Sequence, residues 1–209
     1  MRIGLASDSF GNLDGLAKAL DLFARAEVDR VFFLGGRLAD LEEVLARRRG
    51  ARDEAPVPRS DSEFLAAFEE ALARHASNDP LAYKIVRVAS RACPEYGSGA
   101  VPKKQVDLVE GRICCLVHDK SELDRDDITN ATVLFHGNAD RAALVQIGPR
   151  YFVTPGRVRA PAPGGPPPEF GVLDVTERDL VFTVYSADRT AELRRDKASF
   201  AAGAKMSVR

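Results

Sequence analysis

Residues 133–159, VLFHGNADRAALVQIGPRYFVTPGRVR, carry three short apolar runs divided by turn-forming residues, and this pattern narrows the choice of fold more than any other stretch. Val133, Leu134 and Phe135 make one strand, ended by His136, Gly137 and Asn138. Residues 142–147 make a second, which Gly148 and Pro149 turn back. Tyr151, Phe152 and Val153 make a third, stopped by Pro155 and Gly156. A buried strand that ends in a glycine turn delivers the next side chains to the edge of the sheet. In open α/β sheets that edge is where ligands sit.

The rest of the chain supplies the layers around this unit. Residues 2–7 form a first strand that runs through Ser7, Asp8, Ser9, Phe10, Gly11 and Asn12 into a helix with Leu13, Leu16, Leu20 and Phe23 on one face. Residues 31–34 form a second strand, ended by Gly35 and Gly36. So short a strand–helix–strand unit implies a parallel, right-handed crossover. Residues 38–49 are expected to be helical, with Leu41, Val44 and Leu45 on one side. Residues 47–58 read as a loop, and the capping box Ser60-Asp61-Ser62-Glu63 opens a helix over about 61–77 with Phe64, Leu65, Phe68, Ala71 and Leu72 aligned, so that 47–80 is a helical insertion. Residues 84–89 are a third strand. Residues 105–109 and 112–117 pair as a hairpin about Glu110-Gly111. The run APAPGGPPP at 160–168 is a surface loop, since its prolines suit neither helix nor central strand. Residues 170–175 and 180–185 close the sheet. One domain over 1–186 is expected, followed by a charged helix or frayed tail over 187–209.

Composition excludes several classes of function. Two hundred and nine residues suffice for a large core. A net charge of −1 gives no electrostatic case for nucleic acid as the main partner. No apolar run approaches the ~20 residues of a membrane span, and the N-terminus lacks a signal-peptide layout. Cys93, Cys114 and Cys115 form neither a disulfide framework nor a zinc set, and reduced thiols imply the cytoplasm.

The order of these motifs resembles the calcineurin-like metallophosphoesterases, in particular the small bacterial phosphodiesterase and Vps29-like branch. The family pattern Asp-x-His, Gly-Asn matches Asp8-Ser9-Phe10 and Gly11-Asn12, and its Gly-Asp after the second strand matches Gly35-Gly36. Its Gly-Asn after the third strand falls at Ser90-Arg91, its His-Gly at His118-Asp119, its Gly-His-x-His at Gly137-Asn138-Ala139-Asp140, and its Asn-Pro-Gly-Ser at Thr154-Pro155-Gly156-Arg157. The resemblance covers roughly residues 1–185 and implies a four-layer αββα sandwich of two mixed β-sheets flanked by helices.

The shaping glycines remain, but most metal ligands do not. The family's chemistry needs two divalent metals that clamp a phosphate and acidify a bridging water. On the resemblance, Asp8 and His118 stand at ligand positions, Phe10 replaces a histidine, Gly36 the bridging aspartate, Arg91 the asparagine, and Asn138 and Asp140 the paired histidines. Phenylalanine and glycine offer no lone pair, and arginine repels a metal. Asp8 can equally cap a helix start, and His118 can serve as a hydrogen-bonding residue in a polar cleft; His75 and His136 match no motif. With the cations gone, Arg91 is expected to balance Asp8 and Asp140. No cofactor or metal is expected, and a catalytically inactive scaffold with a protein partner is the leading expectation. The alternative is metal-free binding of a phosphate-containing ligand by Arg37, Arg91, Lys120 and Arg157, or residual hydrolysis.

Overall fold

The computed structural model describes residues 1–48, 81–161 and 163–200. Two mixed sheets lie face to face. The first holds β1 (Arg2–Ala6), β2 (Arg30–Phe33), β3 (Ile85–Arg87), β9 (Glu169–Val175), β10 (Asp179–Ser186) and β11 (Glu192–Ser199) in the order β11-β10-β9-β1-β2-β3. The second holds β4 (Lys104–Val109), β5 (Arg112–Val117), β6 (Val133–His136), β7 (Arg141–Ile147) and β8 (Arg150–Gly156) in the order β4-β5-β6-β8-β7. β1, β2 and β3 run parallel, as the opening strand–helix–strand reading requires, and β9 joins β1 antiparallel. The three strands of 133–159 are β6, β7 and β8, with β8 parallel to β6 and antiparallel to β7.

Strand alternation explains the layers. Ile3, Leu5, Phe32 and Leu34 face inward and meet Cys114, Leu116, Val133, Phe135 and Val153 of the second sheet. Phe32 and Phe135 close this core edge to face, with centroids 5.1 Å apart. Each contributes about 1.5–3 kcal/mol by burial. The opposite faces of β1 and β2, through Ala6, Val31 and Phe33, pack under α1 (Leu13–Arg25) and α2 (Leu38–Arg48), whose Leu16, Leu20, Phe23, Leu41, Val44 and Leu45 are all buried. α3 (Pro94–Ser98) follows the loop after β3, and α4 (Arg125–Asn130) leads into β6, where Ala131 packs on the outer face of the second sheet with Cys115, Val117 and Leu134. Among the described residues no helix is long and apolar enough to cross a membrane.

One expectation is corrected. Residues 192–199 are neither helix nor frayed tail but an edge strand, with Thr183 opposite Arg195 and Asp179 opposite Ser199. Alternation of exposed and half-buried residues carries the strand. Its charges remain solvated and pair locally, Arg194 with Asp196 and Lys197 with Asp179. A charged edge strand of this kind also discourages pairing with another chain. Smaller differences concern ends: the third strand is confined to Ile85–Arg87 after a 3-10 turn at Ala82–Lys84, and Arg47 and Arg48, which fall in both the expected helix 38–49 and the expected loop 47–58, belong to α2. The expected helix over 61–77, with His75, lies outside the described residues.

Candidate functional site

The C-terminal ends of β1, β2, β5, β6 and β8 meet at one edge of the sandwich, and the loops that leave them form a cleft. Asp8 follows β1, Gly35 and Gly36 follow β2, His118 follows β5, Asn138 follows β6 and Arg157 follows β8. The backbone stitches these loops together. Asp8 N–H donates to the Gly35 carbonyl at 2.9 Å, Val158 N–H to the Ser7 carbonyl at 2.9 Å, and Arg159 N–H to the Asp8 carbonyl at 2.8 Å.

Asp8 is nearly inaccessible and both its oxygens are engaged. Oδ1 lies 2.9 Å from His118 Nε2, and Oδ2 accepts the Asn138 backbone N–H at 2.9 Å. Ser7 Oγ stands 3.2 Å from Oδ2 but donates more closely to the Gly156 carbonyl, at 2.6 Å. Asp8 is therefore not the cap of α1. That role falls to Asn12, whose Oδ1 accepts from Gly15 N–H at 3.0 Å while its Nδ2 donates to the Val158 carbonyl at 2.6 Å.

The His118 ring fits only because two glycines flank it. A Cβ at Gly35 would stand 2.3 Å from His118 Cδ2, and one at Gly137 would stand 3.0 Å from the same atom and 2.2 Å from the Leu34 carbonyl oxygen. Gly36 has φ +108°, and a Cβ there would lie 2.9 Å from both the Cα and the N of Asp8. The end of β2 thus leaves no room for a side chain at either position in this backbone.

Phe10 is half-buried and shares the cleft with Asp8, Asn138, Arg157 and Arg159, as its position in the sequence leads one to expect. The cavity is about 180 Å³. Asp8, Phe10 and Asn138 all adopt left-handed backbone, with φ of +51°, +37° and +44°. Such conformations cost of order 1–3 kcal/mol each and persist only where the surroundings enforce them. Asp40 is part of that enforcement: from the first turn of α2 its Oδ2 accepts from Ser9 Oγ at 2.9 Å and from Gly11 N–H at 2.7 Å, holding the loop that presents Phe10. Both Asp40 and Arg159 escape the sequence reading, since neither stands in a motif. For Asp40 the available signal is an acidic residue in the first turn of a helix.

Arg91 is elsewhere. Its Nε donates to Glu122 Oε1 at 2.6 Å, and its side chain is 58% exposed. The Tyr96 hydroxyl donates to the same Glu122 oxygen at 2.7 Å, so this carboxylate rather than Asp8 or Asp140 binds the guanidinium. Asp8 is met by His118, and Asp140 by Arg157. The residue after β3 that reaches the end of β2 is Cys93, whose thiol donates to the Gly36 carbonyl at 2.8 Å. Of the four expected anion-binding cations only Arg157 lines the cleft. Arg37 is 57% exposed beside Asp40, and Lys120 is exposed in a 3-10 turn.

The family's dinuclear metal does not suit this donor set. Phe10 and Gly36 have no donor atom, Asp8 spends both oxygens inside the protein, Asp140 is paired with Arg157, and the Asn138 amide donates to Asp119 Oδ2 at 2.6 Å. Among the described residues no group of three or more His, Cys, Asp or Glu is placed to hold a metal ion. The thiols are buried as well: all three cysteines are free, and burial pushes Cys114 up to about 12 and Cys115 up to about 11.

His136, beside the cleft at the end of β6, is buried with Nδ1 2.9 Å from the Gly137 carbonyl. Burial holds its pKa below the usual histidine value and the charge of Lys120 adds to this, while the Gly137 carbonyl and Asp119 oppose it. The unfolded chain therefore takes up a proton at about pH 6.5 that the folded chain refuses. Stability from His136 is present above that pH and is lost as pH falls through the lowered folded value. The melting temperature is expected to drop between pH 7 and 5.5, and His136→Phe is expected to flatten that part of the curve. An unchanged curve in the variant would assign the acid sensitivity to other groups.

No family model matches the chain, and no curated protein matches it. Solved structures do. A conserved uncharacterized protein from Streptococcus pneumoniae TIGR4, described as a predicted phosphoesterase, is similar with a TM-score of 0.58 and 17% identity over 95% of this chain and 97% of that one. Yfce, a phosphoesterase from E. coli, gives 0.57 and 22% identity over 94% and 98%. Vps29 from Chaetomium thermophilum, complexed with a cyclic peptide, gives 0.54 and 15% identity over 96% of each chain. At these identities the likeness is one of fold: the chain has the αββα fold of the calcineurin-like metallophosphoesterases, as its motif order implies.

Proposed function

We propose that this chain is a catalytically inactive protein of the metallophosphoesterase fold that serves as a protein-interaction scaffold in the cytoplasm. The observation that carries the reading is the state of Asp8. In a two-metal hydrolase a carboxylate at this strand end would face the metals; here it faces His118 Nε2 and the Asn138 N–H, with donorless Phe10 and Gly36 on either side. The loop architecture is that of the fold, two of its positions carry no side-chain lone pair, and the donors that remain are engaged within the protein. A partner protein is the counterpart that such a framework can still serve, and the peptide-bound Vps29 structure among the similar folds supports that direction.

Tagged protein, crosslinked in its native host and recovered, is expected to bring down one dominant protein that co-elutes with it in gel filtration and reassembles from purified components. Recovery of the chain alone, together with turnover of a phosphodiester by the purified protein, would contradict the scaffold reading.

A further inference from the structure

The cleft itself has chemistry left. Three of its lining residues, Asp8, Phe10 and Asn138, are held in left-handed backbone, half of the six non-glycine residues in that region among the described ones. That strain is concentrated at one cavity, as it is at working sites. The charges sort themselves. Asp8 turns inward to His118 and Asn138, and Asp140 occupies Arg157. Arg159 remains: exposed, bound to no carboxylate among the described residues, with its guanidinium carbon 5.8 Å from the centre of the Phe10 ring. The cavity of about 180 Å³ is below the ~300 Å³ at which small-molecule sites begin, so it suits a single side chain rather than a nucleotide.

Resting on the scaffold reading, we propose that this cleft receives one carboxylate of an acidic segment of the partner protein, with Arg159 as the group that binds it and Phe10 as the apolar wall beside it. A carboxylate matches a guanidinium fork in geometry and in charge. A phosphate dianion does not match as well: it needs a second cation, and Arg157 is already held by Asp140, while Asp8 and Asp140 repel a double charge. Among the described residues that line the cleft, Arg159 alone has no carboxylate partner, which favours a monoanion.

The test is an NMR titration of the full chain, followed at the arginine Nε–H resonances. The probes are an acetylated tetraglutamate peptide, its tetraglutamine counterpart and inorganic phosphate. Tetraglutamate is expected to give a saturable shift at Arg159, at least fivefold weaker with tetraglutamine and absent in Arg159→Gln; the surface variant Lys120→Gln should titrate as the parent does. No saturable shift at millimolar peptide would overturn the inference, as would equal titration by Arg159→Gln. Phosphate binding tenfold tighter than the peptide would overturn it too, in favour of a small-anion site. Failure here leaves a distinct signature from failure of the scaffold reading: a partner still captured by Arg159→Glu would refute this cleft as its docking point and leave the scaffold intact.

Discussion

Gly36→Asp, the substitution that would restore a carboxylate at the end of β2, is expected to destabilise the protein by about 3 kcal/mol or more and to recruit no metal. Two costs add. A φ of +108° lies where side-chain-bearing residues are strained by of order 1–3 kcal/mol, and the new Cβ would stand 2.9 Å from the backbone of Asp8, with Ser9 N at 3.2 Å. Backbone cannot rotate away as a side chain can, so the loop carrying Asp8 and Phe10 must move. With a denaturant slope of about 1–3 kcal/mol per molar in urea, the unfolding midpoint should fall by roughly 1 M or more. On the resemblance alone, Gly36→Asp supplies one ligand position with too few others around it; the geometry makes it a structural lesion as well. A variant of parental stability that binds manganese would show that the strand end reshapes freely.

The second large effect concerns the two glycines around His118. Gly35→Ala and Gly137→Ala should each cost about 3 kcal/mol, but for different reasons, and a double-mutant cycle separates them. At Gly35 the obstacle is the His118 ring, 2.3 Å from the new Cβ, together with a φ of +89°. At Gly137 the nearest obstacle is the Leu34 carbonyl oxygen, 2.2 Å away. Combining Gly35→Ala with His118→Ala should return a good part of the loss, leaving the backbone strain. Combining Gly137→Ala with His118→Ala should return little. Equal rescue in both pairs would mean that the ring, not the close approach of β2 and β6, sets the packing at this edge.

Much of the fold is legible in the sequence because strand alternation and glycine turns are local signals. The runs at β6, β7 and β8, the hairpin of β4 and β5 about Glu110 and Gly111, and the buried face of α1 all follow from residue spacing. β11 is not legible. Its residues are charged, and they become a strand through pairing with β10, a tertiary effect that overrides local preference. The cleft divides in the same way. Asp8, Phe10, Gly36, His118 and Asn138 come together because each follows a strand that ends at the same edge. Arg91 does not, since the loop after β3 turns its side chain out to Glu122 and brings Cys93 in to Gly36. Asp140 follows β6 too, but meets the cleft only through Arg157. Arg159, two residues past the Thr154–Arg157 motif, lines the cleft, and Asp40 supports it from α2; the bond from Arg159 N–H to the Asp8 carbonyl and that from Gly11 N–H to the Asp40 carboxylate show the connection.

The central claim, that this chain works without the dinuclear metal chemistry its motif order resembles, is tested most directly by metal content and turnover measured on one preparation. Wild-type protein is incubated with manganese or zinc, desalted, analysed for bound metal and assayed on bis-p-nitrophenyl phosphate. Less than one tightly held ion per chain and no metal-dependent hydrolysis are expected, because Asp8 and His118 satisfy each other and Phe10 and Gly36 supply no ligand. Two stoichiometric metals, with hydrolysis that Asp8→Ala abolishes, would contradict it.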